Sequence, residues 1–356
     1  MPAAPHELAG LESAAGQLWP AFALVTGLLL VGVVAEQDGL FATAGAGLAR
    51  IKLGPRLTFV FAMLLVTAVT AVLNLDTSVF FLTPVLLHLA WTRGTSELPY
   101  LYAAVFMSNA ASLFLPGSNL TNLIVLHGEH ASGAAFFSRM WAAALTAAIV
   151  TTALLMVIFR RDLAESHYVD EPLPRARFGI GAAAVALSSA LVLVLPSPAL
   201  PVLAVGAAAI ALERVPRART LAAVDVRMLG GLFVIAVALG SLGRWWDGPA
   251  DLVGSLGRWQ TAAFGALAAV AVNNLPASVL LTPKPPPHPR ALLIGLNLGP
   301  NLAITGSLSA LLWLRVSRSH GARPSAVRYT LLGLVIVPVS LAAAVGTLWL
   351  VAPGRL

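Results

Sequence analysis

The sequence predicts an all-α polytopic membrane protein made of two inverted repeats, each with a re-entrant helical hairpin and a broken transmembrane helix. Composition is the first reason. Of 356 residues, 58% are hydrophobic and 10% charged, against roughly 25% charged in a soluble domain. The second is a recurrence of apolar runs of about 17–25 residues, the length a helix needs to cross a bilayer. The third is a pair of related polar stretches inside those runs. "NLDTSVFFLTP" (74–84) and "NNLPASVLLTP" (273–283) share Asn-Leu-x-x-Ser-Val and a following Thr-Pro.

The apolar segments run over 19–35, 57–73, 77–90, 98–126, 141–159, 178–195 and 199–212, then 228–242, 259–272, 276–281, 291–314 and 329–351. The opening "MPAAPHELAGLESAAGQ" carries no Lys or Arg, so it lacks the basic region of a cleaved signal, and 19–35 is expected to be a true first span. The run 98–126 is too long for one straight span, and "LPGSNLTN" interrupts it with a Pro-Gly pair. The run 291–314 is interrupted in the same way by "NLGPN". Gly117-x-Asn119-Leu120 recurs as Gly299-x-Asn301-Leu302, and each follows its own Asn-Leu-x-x-Ser-Val element. Breaks at membrane depth are tolerated only where protein or a wet cavity satisfies the freed backbone groups. Paired breaks in two halves point to a transporter's binding site.

Charge orients the chain. Basic residues cluster in short loops at 50–56, 160–177, 214–227 and 315–328, the pattern of cytoplasmic loops in a cell inner (plasma) membrane rather than of a nucleic-acid surface. If each Asn-rich element is the tip of a hairpin that enters and leaves on one side, 16 of the 22 Lys and Arg fall inside. The two hairpins then enter from opposite faces. Full crossing by all four hairpin arms keeps the same charge bias, and the pairing of tips with broken helices favours inversion. On this reading residues 1–356 form a single transmembrane transporter domain. Residues 1–18 are extracytoplasmic, 19–160 form the first repeat region, 161–227 the linking spans and basic cytoplasmic loops, and 228–356 the second repeat region.

Several chemistries are excluded. There is no cysteine, hence no disulfide, thiolate metal site or cysteine nucleophile. An intramembrane aspartyl protease needs two acids, yet Asp76 is the one charged residue between Arg56 and Arg93. No His-Glu-x-x-His occurs, and neither lysine, Lys52 nor Lys284, stands in a nucleotide-binding loop. The chain therefore reads as a carrier without cofactor or resident metal, and not as an enzyme.

"LDTSVFFLTPV", "SNLTNLIV", "NNLPASVLL" and above all "GLNLGPNLAITGSLSALLWL" (295–314) resemble the bacterial arsenite and antimonite permeases of the ion transporter superfamily, from about Glu36 to the C-terminus. The resemblance implies two inverted repeats enclosing a site at hairpin tips and unwound helices. It implies export of trivalent arsenic or antimony, driven by protons as an antiport or assisted by a separate soluble ATPase subunit. Asp76 falls where these permeases carry an acid in the first tip, and Asn273, Asn274 and Pro276 match their Asn-Asn-x-Pro tip. Where many relatives have Asp-Leu-Gly-Pro this chain has Asn297-Leu298-Gly299-Pro300, so one acid of the pattern is missing. Relatives also usually carry further spans before the segment matching 19–35.

Asp76 is the strongest candidate. A carboxylate at the bilayer centre costs about 2.5–3.5 kcal/mol on insertion scales and normally faces a cavity or partner. Proton coupling needs such a group. The competing reading is a cap on the helix over 77–90, and the two roles are compatible. Asn74, Thr77, Ser78, Asn119, Thr121 and Asn122 form the polar lining of the first half. Asn273, Asn274, Ser278, Asn297, Asn301, Thr305 and Ser307 form that of the second. Amides and hydroxyls suit a neutral, hydroxylated oxo-species, a sodium ion held through oxygens, or the loosened backbone itself. Trivalent arsenic grips thiolates, so a thiol-free path suits weak and reversible binding. A sodium- or proton-coupled carrier of dicarboxylates or another small anion is the alternative. Its tips tend to read Ser-Asn-Thr, against Leu75-Asp76-Thr77 and Asn274-Leu275-Pro276 here. The remaining partners this reading admits are the lipid bilayer, a coupling proton or sodium ion, and a second copy of the chain. His88 reads as packing, His127, Glu129 and His130 as a loop, Glu36 and Asp38 as an interfacial turn. Arg139, Arg244 and Arg258 read as snorkelling anchors beside tryptophans.

Overall fold

A computed structural model of the chain describes residues 5–127, 132–164 and 179–351, and among these every regular element is helical. Glu129, His130 and most of the basic loop 160–177 lie outside the described residues. Six helices among those described are long and apolar enough to cross a membrane. This is a multi-pass membrane protein.

α1 (Pro5–Gln37) runs into a turn at Gly39, whose φ of +75° suits glycine, and then into α2 (Leu40–Arg50). In that turn Asp38 is buried, and its Oδ2 accepts a 2.7 Å bond from the Gly181 N–H, the opening turn of α8 (Ile180–Val194). The interfacial acid is thus a cap on a distant helix. α3 (Pro55–Val72) starts on a proline at its first position, and α4 (Leu75–Thr92) folds back on it as the first hairpin. Arg93 closes α4 from a buried position. Its guanidinium donates to the carbonyls of Ala49 and Ile51 (both 3.1 Å) and Leu53, and to Thr58 Oγ1 (2.9 Å), pinning the loop between α2 and α3.

The broken run 98–126 resolves into α5 (Leu98–Ala111), a 3-10 turn at Pro116–Ser118 and α6 (Leu120–Val125). α7 (Gly133–Ile158) follows, then α8 and α9 (Ala199–Leu212), which pack on α1. α10 (Arg217–Val224) and α11 (Val226–Trp245) lead through α12 (Gly248–Ser255) to the second hairpin, α13 (Arg258–Val272) and α14 (Asn274–Leu281). The second broken run is α15 (Pro289–Leu298), 3-10 turns at Gly299–Leu302 and Ile304–Gly306, and α16 (Leu308–Ser319). The last helix is α17 (Ala326–Val351).

Two features depart from a symmetrical expectation. The arms of the first hairpin are 18 residues each, the length of a full crossing, whereas α13 and α14 have 15 and 8. Arg244 does not snorkel outward: it turns back on α1, donating to Gln17 Oε1 at 2.7 Å and to Gly240 O at 2.8 Å. An uncompensated guanidinium in an apolar surface costs more than one with two acceptors.

Corresponding helices of the two halves run antiparallel. Thr146 meets Thr347 (3.1 Å) and Thr151 meets Ser340 (3.2 Å), so the residue number falls along α17 as it rises along α7. Asn109 meets Asn301 and Ser112 meets Asn297, which sets α5 against α15 in the same sense. Each hairpin also packs on the other half's broken helix, α4 on α16 and α14 on α6. α13 and α15 approach through glycine: a Cβ on Gly295 would stand 2.1 Å from Ala262 O, and one on Gly299 2.5 Å from Ala266 Cα. Small residues are how apolar helices come this close without a hydrophobic drive between them.

Gly295→Val is expected to lower stability by about 1–3 kcal/mol, the ordinary penalty for overpacking. Gly47→Ala, at a helical site with open space around it, is expected to hold or raise it by about 0.5–1 kcal/mol. Thermal unfolding of the purified variants in detergent checks both, and equal melting temperatures would show that the α13–α15 approach is not tight.

Candidate functional site

The two tips are built by asparagine caps. At the first, Asn74 takes an extended backbone and its Oδ1 accepts the Thr77 N–H at 2.7 Å, opening α4. The cap is therefore Asn74, which leaves the Asp76 carboxylate, two residues further in, for another partner. That partner is Ser309 of α16, whose hydroxyl donates to Asp76 Oδ1 at 2.5 Å. Thr77 is buried against Gly32 of α1, where an added Cβ would stand 2.6 Å from Thr77 Cγ2. The Nδ2 of Asn74 and the Oγ1 of Thr77 are buried and have no partner in the structure. Ser78 accepts from Ser108 of α5 at 3.2 Å.

At the second tip, Asn273 adopts φ +75° and its Oδ1 accepts the Leu275 N–H, while its Nδ2 donates to Thr305 O at 3.2 Å. With ψ at +148° this backbone lies outside the αL well and is strained, held by the two bonds of the side chain. Asn274 is buried, and Ser278 Oγ bonds back to Leu275 O at 2.7 Å. Past the tip, Lys284 donates to Asp247 (2.7 Å) and Asp251 (3.3 Å). Those bonds, that to Asp247 first, hold its ammonium pKa above the usual lysine value.

The broken helices meet in a network of amides. Asn297 Oδ1 accepts from Ser112 Oγ (2.5 Å) and Asn119 Nδ2 (2.7 Å), and its Nδ2 donates to Asn122 Oδ1 (2.9 Å) and Leu293 O (2.8 Å). Asn122 donates in turn to the loosened carbonyls of Ser112 (2.7 Å) and Leu115 (3.2 Å). Asn119 caps α6 through Thr121 N, and Ser307 caps α16 through Ala310 N at 3.1 Å. Asn301 accepts from Asn109 Nδ2 (2.8 Å) and donates to Phe106 O (3.2 Å), while Tyr329 of α17 donates to Pro300 O (3.1 Å).

Of the fourteen residues singled out in the sequence, Asp76 and Asn273 are partly buried, Thr305 is exposed and the others are buried. The amides and Ser112 gather at one interior locus, with Asp76 and Ser309 bridging α4 to α16. Ser108, Asn109, Ser112 and Ser309 escaped the sequence reading. Their signal was a polar residue on an otherwise apolar helix, which falls short of the motifs around it. A cavity of about 380 Å³ reaches Asn122 and Pro116 from Gln17, Trp19 and His127. A second, of about 570 Å³, lies between Gln17, His127, Arg244, Thr282 and the prolines after the second hairpin. Among the described residues no cluster of His, Asp and Glu could hold a metal ion.

This architecture has counterparts among known proteins. The profile of a family described as citrate transporter matches residues 3–285. The chain belongs to that family. It is 30% identical over 155 residues to an arsenical pump membrane protein of Escherichia coli, an alignment covering 42% of this chain and 36% of that protein. The chain thus spans 36% of the length of such relatives. An uncharacterized transporter of Mycobacterium tuberculosis is 24% identical over 372 residues, covering 94% of this chain and 87% of the relative. The crystal structure of the Alcanivorax borkumensis YdaH transporter, described as having an unusual topology, superposes with a TM-score of 0.58. It covers 97% of this chain and 88% of that one at 15% identity, a likeness of fold. The resemblance to arsenite permeases is therefore met by relatives over part of the chain, inside a citrate transporter family. The protein is a multi-pass membrane protein of this family.

The network explains the asparagine at position 297. Asp at this position would replace two donated bonds by oxygen facing oxygen, and each orphaned buried acceptor costs about 1–3 kcal/mol. Asn297→Asp and Asn297→Ala are both expected to lower the thermal midpoint, and Asn122→Ala combined with Asn297→Ala to cost less than the sum of the singles. Additive single and double variants would show the amides to be independent.

Proposed function

We propose that this chain is a secondary active transporter that exports arsenite or antimonite across the cell inner membrane in exchange for protons, with Asp76 as the proton-carrying group. The observation that carries this reading is the chemistry of the interior locus. Amides and hydroxyls from both broken helices build it, without a thiol, and the one carboxylate of the first hairpin, Asp76, bonds Ser309 at the start of α16. A neutral, hydroxylated arsenic(III) species offers O–H donors and lone pairs to such groups and is released by them. The bonds that build that locus come from amides and hydroxyls, groups suited to a neutral solute. The antiparallel pairing of α5 with α15 and α7 with α17 supports two inverted repeats rocking about this locus. The even spread of basic loops supports a cytoplasmic face at 50–56, 214–227 and 315–328.

A second reading, a sodium- or proton-coupled carrier of citrate or another carboxylate, draws on the family to which the chain belongs. It also draws on the starts of α4, α14 and α16, all set near the tips, since helix N-termini favour negative charge. Complementation of an arsenite-sensitive strain, with citrate and succinate uptake measured in parallel, separates the two. Resistance without carboxylate uptake is the expected result, and carboxylate uptake without resistance would replace the first reading by the second.

Asp76→Asn keeps an oxygen that can accept from Ser309 but takes up no proton. We expect it to fold, insert and lose proton-coupled arsenite flux in everted vesicles carrying a pH dye. Undiminished flux in that variant would remove Asp76 from the mechanism.

A further inference from the structure

Asp76 and Ser309 occupy the same position on two different helices. Asp76 is the second residue of α4 and Ser309 the second residue of α16, and 233 positions separate them in the chain. Neither is needed as a cap, because Asn74 takes the free Thr77 N–H of one helix and Ser307 the free Ala310 N–H of the other. The two side chains are left to each other. Ser309 is buried, and among the described residues its hydroxyl is the one side-chain group that bonds the carboxylate. Asp76 belongs to the first hairpin and Ser309 to the second broken helix, so this single bond ties together parts that a rocking motion of the halves would separate.

We infer that Ser309 is a positioning residue for proton coupling: its hydroxyl holds the Asp76 carboxylate against the start of α16 and sets the pH at which that carboxylate takes up its proton. The inference rests on the proposed proton role of Asp76. A hydrogen bond to a carboxylate is roughly twice as strong as one to a neutral group. Proton uptake therefore weakens the tie between α4 and α16, and proton release restores it. The titratable groups on the helices packed against α4 are Glu12 and Glu36 of α1, Arg50 of α2, Arg56 of α3, Tyr100 and Tyr102 of α5, and Arg315 and Arg318 of α16. His88 lies on α4 itself, about 18 Å along the helix axis from Asp76. None of them is a partner of Asp76 in the structure, Glu36 being paired instead with Arg219. Ser309 is thus the hydrogen-bonding side chain through which the surroundings of Asp76 act on it.

The test is infrared difference spectroscopy of the purified full chain in lipid nanodiscs, titrated with pH. The band of the protonated Asp76 carboxyl is the one lost in Asp76→Asn. Ser309→Ala removes a donor that favours the charged form, so the midpoint of that band is expected to move up by about one pH unit. Ser309→Cys, which keeps the volume and offers only a weak S–H donor, is expected to move it in the same direction. Ser309→Thr, which keeps the hydroxyl, is expected to titrate with the wild type. A midpoint unmoved in both Ser309→Ala and Ser309→Cys would overturn the inference. A midpoint that moves, with undiminished arsenite-driven proton flux in Asp76→Asn, would leave Ser309 positioning the carboxyl and overturn the coupling role beneath it.

Discussion

A helix interrupted inside an apolar slab leaves carbonyls and amides that lipid cannot bond, and the whole arrangement of this chain follows from where those groups find partners. The Asn297 side chain is the hub. Its oxygen and nitrogen are both used twice, and three of the four bonds reach residues of the first broken helix or its cap. Asn122 then passes the contact on to the carbonyls released at Ser112 and Leu115. Each break is met in part by its own half, the first through Asn122 and the second through Tyr329 and Asn273, while Asn297 and Asn301 join the two breaks to each other and make the interior network the polar locus at the centre of the fold.

The same reciprocity governs the hairpins. α4 rests on α16 and α14 on α6, so each tip is held by the broken helix of the opposite half. The helices that follow the breaks, α7 and α17, lie antiparallel and share two hydroxyl pairs. Glycines at Gly295, Gly299 and Gly333 allow backbone to approach backbone, with Gly333 of α17 set directly against the carbonyl of Asn301. A scaffold packed this closely moves as blocks, because its contacts are discrete rather than continuously deformable. Asp76 and Ser309 join the first hairpin to the second broken helix within that scaffold.

Charge is handled by pairing where it enters the apolar body. Arg93 gives its guanidinium to carbonyls of the loop before α3, Asp38 takes the first turn of α8, and Arg244 takes Gln17 of α1. Each holds a loop or a helix end in place. Asp76 differs from them in that its one side-chain partner among the described residues is a hydroxyl on the second broken helix.

The amino-acid sequence by itself determined the class and the punctuation. Apolar run length, the Pro-Gly and Gly-Pro interruptions and the repeated Asn-Leu-x-x-Ser-Val elements are local signals, and local sterics act on them wherever the chain goes. They located both broken helices, both tips and Asp76. The tertiary structure decided what those residues touch. Asn74 rather than Asp76 caps α4, the asparagines spend their bonds on one another, and Thr305 turns its side chain outward while its carbonyl serves Asn273. Ser309, which no pattern marks, is the partner of Asp76. A bond between residues 233 positions apart depends on how two halves dock, and docking is a sum over many packed side chains that no single stretch of sequence contains.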